Sequence, residues 1–312
     1  PRGGAAATAT TDATARKKQP VAEEKRGLSK KMQRLILVAA LALAAVGAGG
    51  YFMFQRYQAK EQRAADIRAG LAAARRAMAD GNKNSWQRGL SAARQVLALD
   101  QRNAEGLGLA AQALLAGYLD EGTQRETRLS EAQKHLAAVP DGAGRAPEVE
   151  RAIALNLIVE GNPDASIARL KPLADRKDAD AILFLGWAYL AAGQWDEASA
   201  AFQASLAASP RRAVTAKYGL ARAQLGKGDR GAARATFLEV IALDKDHVGA
   251  LVGEAEAMPA NEFVQQETAL LAILQRKGID AADPRVVARA WTVAGDRRSE
   301  EHTSELQSPC NL

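Results

Sequence analysis

The side chains of this chain that could support catalysis or metal binding are few: three histidines, one cysteine and scattered acidic pairs. A thiolate nucleophile or zinc site needs Cys, and a metal cluster needs several His, Asp or Glu held close together. His135 and His247 lie in distant stretches of the sequence, each without a second histidine or a cysteine nearby. They predict neither a metal centre nor a Ser-His-Asp arrangement, and His135 is expected on a solvated helix face. Asp196 and Glu197 open a predicted helix, where two carboxylates complement the positive end of the helix dipole. The glycines fall at turns between apolar segments, with no GxxxxGK[ST] loop and no strand-bound GxGxxG to hold phosphates. The chemistry points away from an enzyme and from any cofactor or metal.

The remaining reactive residues, His302 and Cys310, sit in the last fifteen positions, RSEEHTSELQSPCNL. This stretch, 298–312, resembles the in-frame translation of a sequencing adapter and is expected to be a non-native tail. The first residue is Pro1, so the reading frame is expected to extend further. An enzyme or sensor whose active domain lies beyond these limits is therefore the rival to a purely structural role.

Positioning comes from helices. Ala, Leu, Arg, Glu and Gln dominate, aromatics make up 5%, and strand formers are sparse. The net charge of +6 is concentrated at the front, where residues 1–34 carry nine basic side chains against three acidic ones. A surface for nucleic acid would place basic groups on the folded part, interleaved with aromatics. Here they lie in a polar tail with no apolar period, so no nucleic-acid partner is expected and residues 1–34 are predicted to be a disordered basic tail.

Residues 35–54, LILVAALALAAVGAGGYFMF, contain no charge. A helix of that length crosses a hydrocarbon core of about 30 Å. Tyr51 and Phe52 stand where an interfacial aromatic belt would be, and Arg34 and Arg56 bracket the ends. More basic residues precede the span than follow it, which predicts a cytoplasmic N-terminus and a non-cytoplasmic remainder. A cleaved signal peptide is the alternative, since residues 45–50 are a run of small side chains. Ala40, Ala44 and Ala48 have the small-xxx-small spacing that lets two spans pair as a homodimer, a pattern that Ala-rich spans also produce by chance.

From residue 55 to 297 the apolar spacing is helical and repeats at about 34 residues. Its clearest unit, 179–212, contains LGWAYLAAGQWDEASAAFQASLAASP, with Leu185, Gly186, Tyr189, Gly193, Ala198, Phe202, Leu206 and Pro210 in register. Gly186 and Ala198 allow two helices to approach, Tyr189 and Phe202 fill the space between them, and Gly193 and Pro210 end the helices. The pattern recurs over 214–247, with Gln224 in an aromatic's place, and over 147–180. Residues 66–101 and 104–140 read as further helical pairs, with Ser85 placed to cap the helix through Leu97. Residues 248–258 and 261–275 read as another pair, and 284–293 as a last amphipathic stretch.

These residues resemble the tetratricopeptide repeat family, clearly over 147–247 and more loosely over 66–278. The resemblance implies an α-solenoid of helical hairpins, which with the single transmembrane helix read above gives an all-α fold. It also implies a scaffold that binds a protein or peptide partner. On the family's ligand-facing positions stand Arg151, Leu155, Leu183, Trp187, Tyr218, Arg222, Val252 and Glu256. Trp187 reads equally as a partner anchor or as a spacer between repeats, whereas Trp195 and Trp86 are expected to pack locally at helix starts. The layout resembles bacterial inner-membrane proteins with periplasmic repeats that serve envelope assembly, secretion, motility or chaperoning.

Overall fold

The computed structural model describes residues 29–81, 84–121, 125–142, 146–259 and 262–275. The stretch 284–293 and the tail 298–312 lie outside them. All regular elements among the described residues are helical: α1 (Lys30–Ala79), α2 (Ser85–Leu99), α3 (Ala104–Glu121), α4 (Arg125–Ala137), α5 (Pro147–Val159) and α6 (Pro163–Asp175) come first. They are followed by α7 (Ala179–Ala191), α8 (Trp195–Ala208), a 3-10 turn (Pro210–Arg212), α9 (Ala213–Gly226), α10 (Arg230–Leu243), α11 (Val248–Ala257) and α12 (Phe263–Leu274).

Two units are distinguishable, residues 1–59 and 60–312. Within the first, α1 exposes Leu35, Leu41, Leu43, Val46, Phe52 and Phe54, each more than half accessible. This helix is long and apolar enough to cross a membrane. In the second unit the helices form antiparallel pairs, and each pair packs on the next.

Local signals explain the boundaries. Pro147 and Pro163 occupy first helical positions, where a missing N–H costs nothing. Asp178 caps α7 by accepting from the Asp180 and Ala181 amides, both at 3.0 Å, and Asp229 caps α10 through Ala232 at 3.1 Å. Ser85 does not cap α2. Asn84 does so by position, in the left-handed region at φ 64 and without a side-chain bond, because the Ser85 hydroxyl turns into the interior.

Within the pair α7–α8 the turn reverses at Gly193, whose φ of +73 would strain a side chain. The following amide, Gln194 N–H, donates back to the Tyr189 carbonyl at 2.9 Å, closing a Schellman turn. The same closure joins Asn162 to Leu157 and Asp229 to Gln224. Between pairs, Lys177 takes a left-handed φ of 63 although it carries a side chain.

The core runs along the seams between pairs. Phe202, fully buried, sits where Gly186 of α7 and Gly219 of α9 leave room for its ring. Burying such a ring contributes about 2–3 kcal/mol. Phe237 repeats this arrangement against Gly253. The first helices of the pairs, α3, α5, α7, α9 and α11, touch in succession, and α3 also meets α11. This last contact brings the start of the array back against its end.

Candidate protein-binding face

The eight residues on the expected ligand-facing positions all come from α5, α7, α9 and α11, the inner helices. Six of them, Arg151, Leu155, Leu183, Trp187, Tyr218 and Val252, are buried. Arg222 and Glu256 are half-buried. The inner face is therefore lined by these side chains but is not an open groove in this structure. The chain's own α2 and α3 cover part of it, through Trp86 on Phe184, Gln112 on Arg151 and Asp120 on Thr215, and neighbouring repeats cover the rest, as Phe202 covers Trp187 and α12 covers Val252.

Arg151 illustrates the point. Its Nε donates to Gln112 Oε1 of α3 at 3.0 Å, and its guanidinium pairs with Asp178, with Asp180 at 3.7 Å and with Glu148 at 3.7 Å. The chain of charges continues in both directions, from Glu148 to Arg75 at 3.0 Å and from Asp180 to Arg212. Burial taxes each charge, and the ion pairs offset that cost and fix how one pair registers on the next. Arg151 thus ties α3, α5 and the head of α7 together.

The aromatics form a second string. The Trp187 ring lies edge-on to Phe202 at 5.3 Å and tilted against Tyr218 at 5.8 Å, so it bridges the α7–α8 pair and α9. Tyr218 continues to Phe237 at 6.1 Å and to the His247 ring at 4.6 Å. Burial pushes the Tyr218 hydroxyl's pKa up against the opposing pull of Arg222, which keeps it neutral and able to donate. Glu256 is also raised by burial, with Arg222 and Arg230 acting in the opposite direction. Arg222 is the charge that both groups share.

Four residues not assigned to the face by sequence converge beside it. Asp120, at the end of α3, accepts from Trp86 Nε1 and from Thr215 Oγ1, each at 2.9 Å. His247 Nε2 faces the other carboxylate oxygen at 3.6 Å. His247 Nδ1 accepts the Ala250 amide at 3.1 Å, which makes this histidine the N-cap of α11 and leaves the proton on Nε2. Trp86, expected to pack locally, instead reaches Phe184 of α7 at 6.4 Å as well as Asp120. Trp195 also reaches beyond its own turn, its ring lying against Gly226 of the next pair.

His135 is half-buried beside Glu131 at 3.6 Å rather than fully solvated, because α4 turns that face toward Arg94 of α2. No group of three or more metal-ligating side chains occurs among the described residues.

The model of the tetratricopeptide repeat family matches residues 151–213 and 185–248. Residues 151–248 carry tetratricopeptide repeats. Across the matched segment, α5 to α10 are three tetratricopeptide hairpins, and such repeats are protein-interaction scaffolds. Among solved structures, the crystal structure of the P58(IPK) TPR domain is similar at 14% identity, with 75% of this chain and 79% of that chain covered and a TM-score of 0.28. No curated protein matches the chain.

Proposed function

We propose that this chain is a membrane-anchored tetratricopeptide scaffold that holds a protein or peptide partner at a bacterial inner membrane. Its N-terminus is cytoplasmic and its repeats are periplasmic. The observation that carries the anchor is the apolar stretch of α1, with a mean hydropathy of 2.2 over its best window and none of that window covered by the rest of the chain. Side chains of that kind, exposed to water, would aggregate, whereas lipid solvates them. Arg56 lies over the Phe52 ring at 4.6 Å, an aromatic and a cation paired at the level where headgroups begin. The excess of basic residues before the span supports the orientation.

The partner reads the inner helices. Arg222 and Glu256 stand at its accessible edge, and Trp187, Tyr218, Arg151, Leu155, Leu183 and Val252 lie behind them. Aromatics and Arg are the residue types that carry most energy at interfaces.

Alkaline phosphatase fused after residue 297 is expected to be active and a cytoplasm-dependent fluorescent protein at the same place to be dark; the reverse pattern removes the periplasmic assignment. In a crosslinking pull-down, Trp187→Ala combined with Arg222→Glu is expected to abolish partner capture while helicity persists. Undiminished capture takes these residues out of the site.

A further inference from the structure

We propose that residues 281–297 begin a further tetratricopeptide repeat, and that its first helix seats on the end of the array formed by α11 and α12. At the joint between α8 and α9, two side chains of the outer helix meet the next inner helix. Phe202, fully buried, plugs the space left by Gly219, and the Trp195 ring lies against Gly226. The joint between α10 and α11 repeats the plug, with Phe237 fully buried against Gly253. On α12 the homologous positions are Leu271 and Val264. Leu271 is only half-buried where both phenylalanines are fully buried, and Val264 is 65% accessible. Together with the exposed Ala272 they form an apolar surface of the kind that a neighbouring repeat covers.

The sequence after α12 has the complementary pattern. Aligned so that Gly295 matches the turn residues Gly193 and Gly228, Asp296 falls on the cap position of Asn162 and Asp229. In the same register Ala288 takes the small position of Gly186, and Trp291 the place of Tyr189. Val286 falls where Gly219 and Gly253 receive the plugs, and Val293 where Gly226 receives Trp195. Leucine is smaller than phenylalanine and valine larger than glycine, so the volume filled across the joint is kept. Charge agrees as well. Trp187 lies against Tyr218 at 5.8 Å, and the homologous pair across the new joint is Glu256 with Arg285. Arg222, on the helix before, favours the charged form of Glu256, and Arg285 and Arg289 would do so from the helix after. Residues 275–280 provide a link comparable to residues 244–247 between α10 and α11. The added helix would extend the inner row of positions by two arginines.

The experiment uses the full chain in detergent micelles, with Cys310→Ser to remove the native thiol. Cysteines are introduced in matched pairs, Val264→Cys with Val293→Cys and Glu256→Cys with Arg285→Cys, and joined by a short bismaleimide. The crossed pairs are Val264→Cys with Arg285→Cys and Glu256→Cys with Val293→Cys. Matched pairs are expected to close within one chain at a yield about ten-fold or more above crossed pairs, because a seated helix fixes one register whereas a loose tether samples all four combinations alike. Equal yields for matched and crossed pairs overturn the proposal. A crosslink that runs as a dimer on a denaturing gel also overturns it, by placing a second copy on the surface. If the change at Glu256 perturbs folding, the comparison of Val293→Cys with Arg285→Cys against the exposed Val264→Cys decides the outcome alone.

Discussion

The Thr215 hydroxyl donates to the Asp120 carboxylate at 2.9 Å across ninety-five residues of sequence, joining α3, which precedes the family-matched repeats, to α9 inside them. The bond is buried at both ends, so its two partners depend on each other more than a surface pair would. Removing the acceptor strands the Thr215 hydroxyl and the Trp86 indole together. Asp120→Ala is expected to lower unfolding free energy by about 2–4 kcal/mol and Thr215→Val by about 1–2 kcal/mol. In a double-mutant cycle followed by urea unfolding, the two losses should fall short of additivity by about 1 kcal/mol. Strict additivity would show that the bond is not formed.

Gly219 faces the Phe202 ring so closely that an added methyl would overlap it. Gly219→Ala should therefore destabilise the repeat by about 1–3 kcal/mol despite its better helix propensity. Combining it with Phe202→Leu should recover part of the loss, measured by thermal unfolding. A stabilised single variant would mean that the two helices are further apart than described.

Lys177 is exposed and holds a left-handed φ of 63 at the end of α6. Lys177→Gly relieves the contact between Cβ and the carbonyl, at the cost of more freedom in the unfolded chain. The expected balance is a gain of about 0.5–1 kcal/mol, whereas the same change at Lys171, inside α6, should cost about 1 kcal/mol. Urea midpoints for the two variants should move in opposite directions.

Burial lowers the pKa of His135 from its usual 6.5, while Glu131 acts the other way and Arg94 adds to the lowering. The unfolded chain therefore takes up a proton near pH 6.5 that the folded chain resists. Stability from this group is present above 6.5 and is lost as pH falls below it toward the lowered folded value. His135→Gln should flatten the difference in unfolding free energy between pH 7.5 and pH 5.5. An undiminished difference would assign it to other groups.

Much of the fold can be read from local patterns, because tetratricopeptide hairpins are built from contacts between neighbours in sequence. Gly186, Gly193 and Phe202 announce a close approach, a reversal and a plug, and each does that in the structure. The apolar run of α1 is equally self-contained. The inner-face positions could be assigned from the family register, but the full burial of residues such as Arg151 could not, because it depends in part on contacts from α3 that no repeat encodes by itself. Asp120 did carry a signal, an acid closing the apolar run ALLAGYL, which requires a partner if buried. Trp86 and His247 offered no such hint, since their partners lie in remote helices. Ser85 misled for a related reason: cap preference is local, whereas the interior that draws in its hydroxyl is not.

The meeting of α3 with α11 also bears on how this protein can change over generations. Repeat arrays ordinarily gain or lose units freely, since each one rests only on its neighbours. Here a hairpin inserted between α3 and α9 would carry both Thr215 and His247 away from Asp120, and one inserted between α9 and α11 would carry His247 away. The copy number of this array is thereby locked by geometry, and variation in length is confined to what precedes α3 or follows α11.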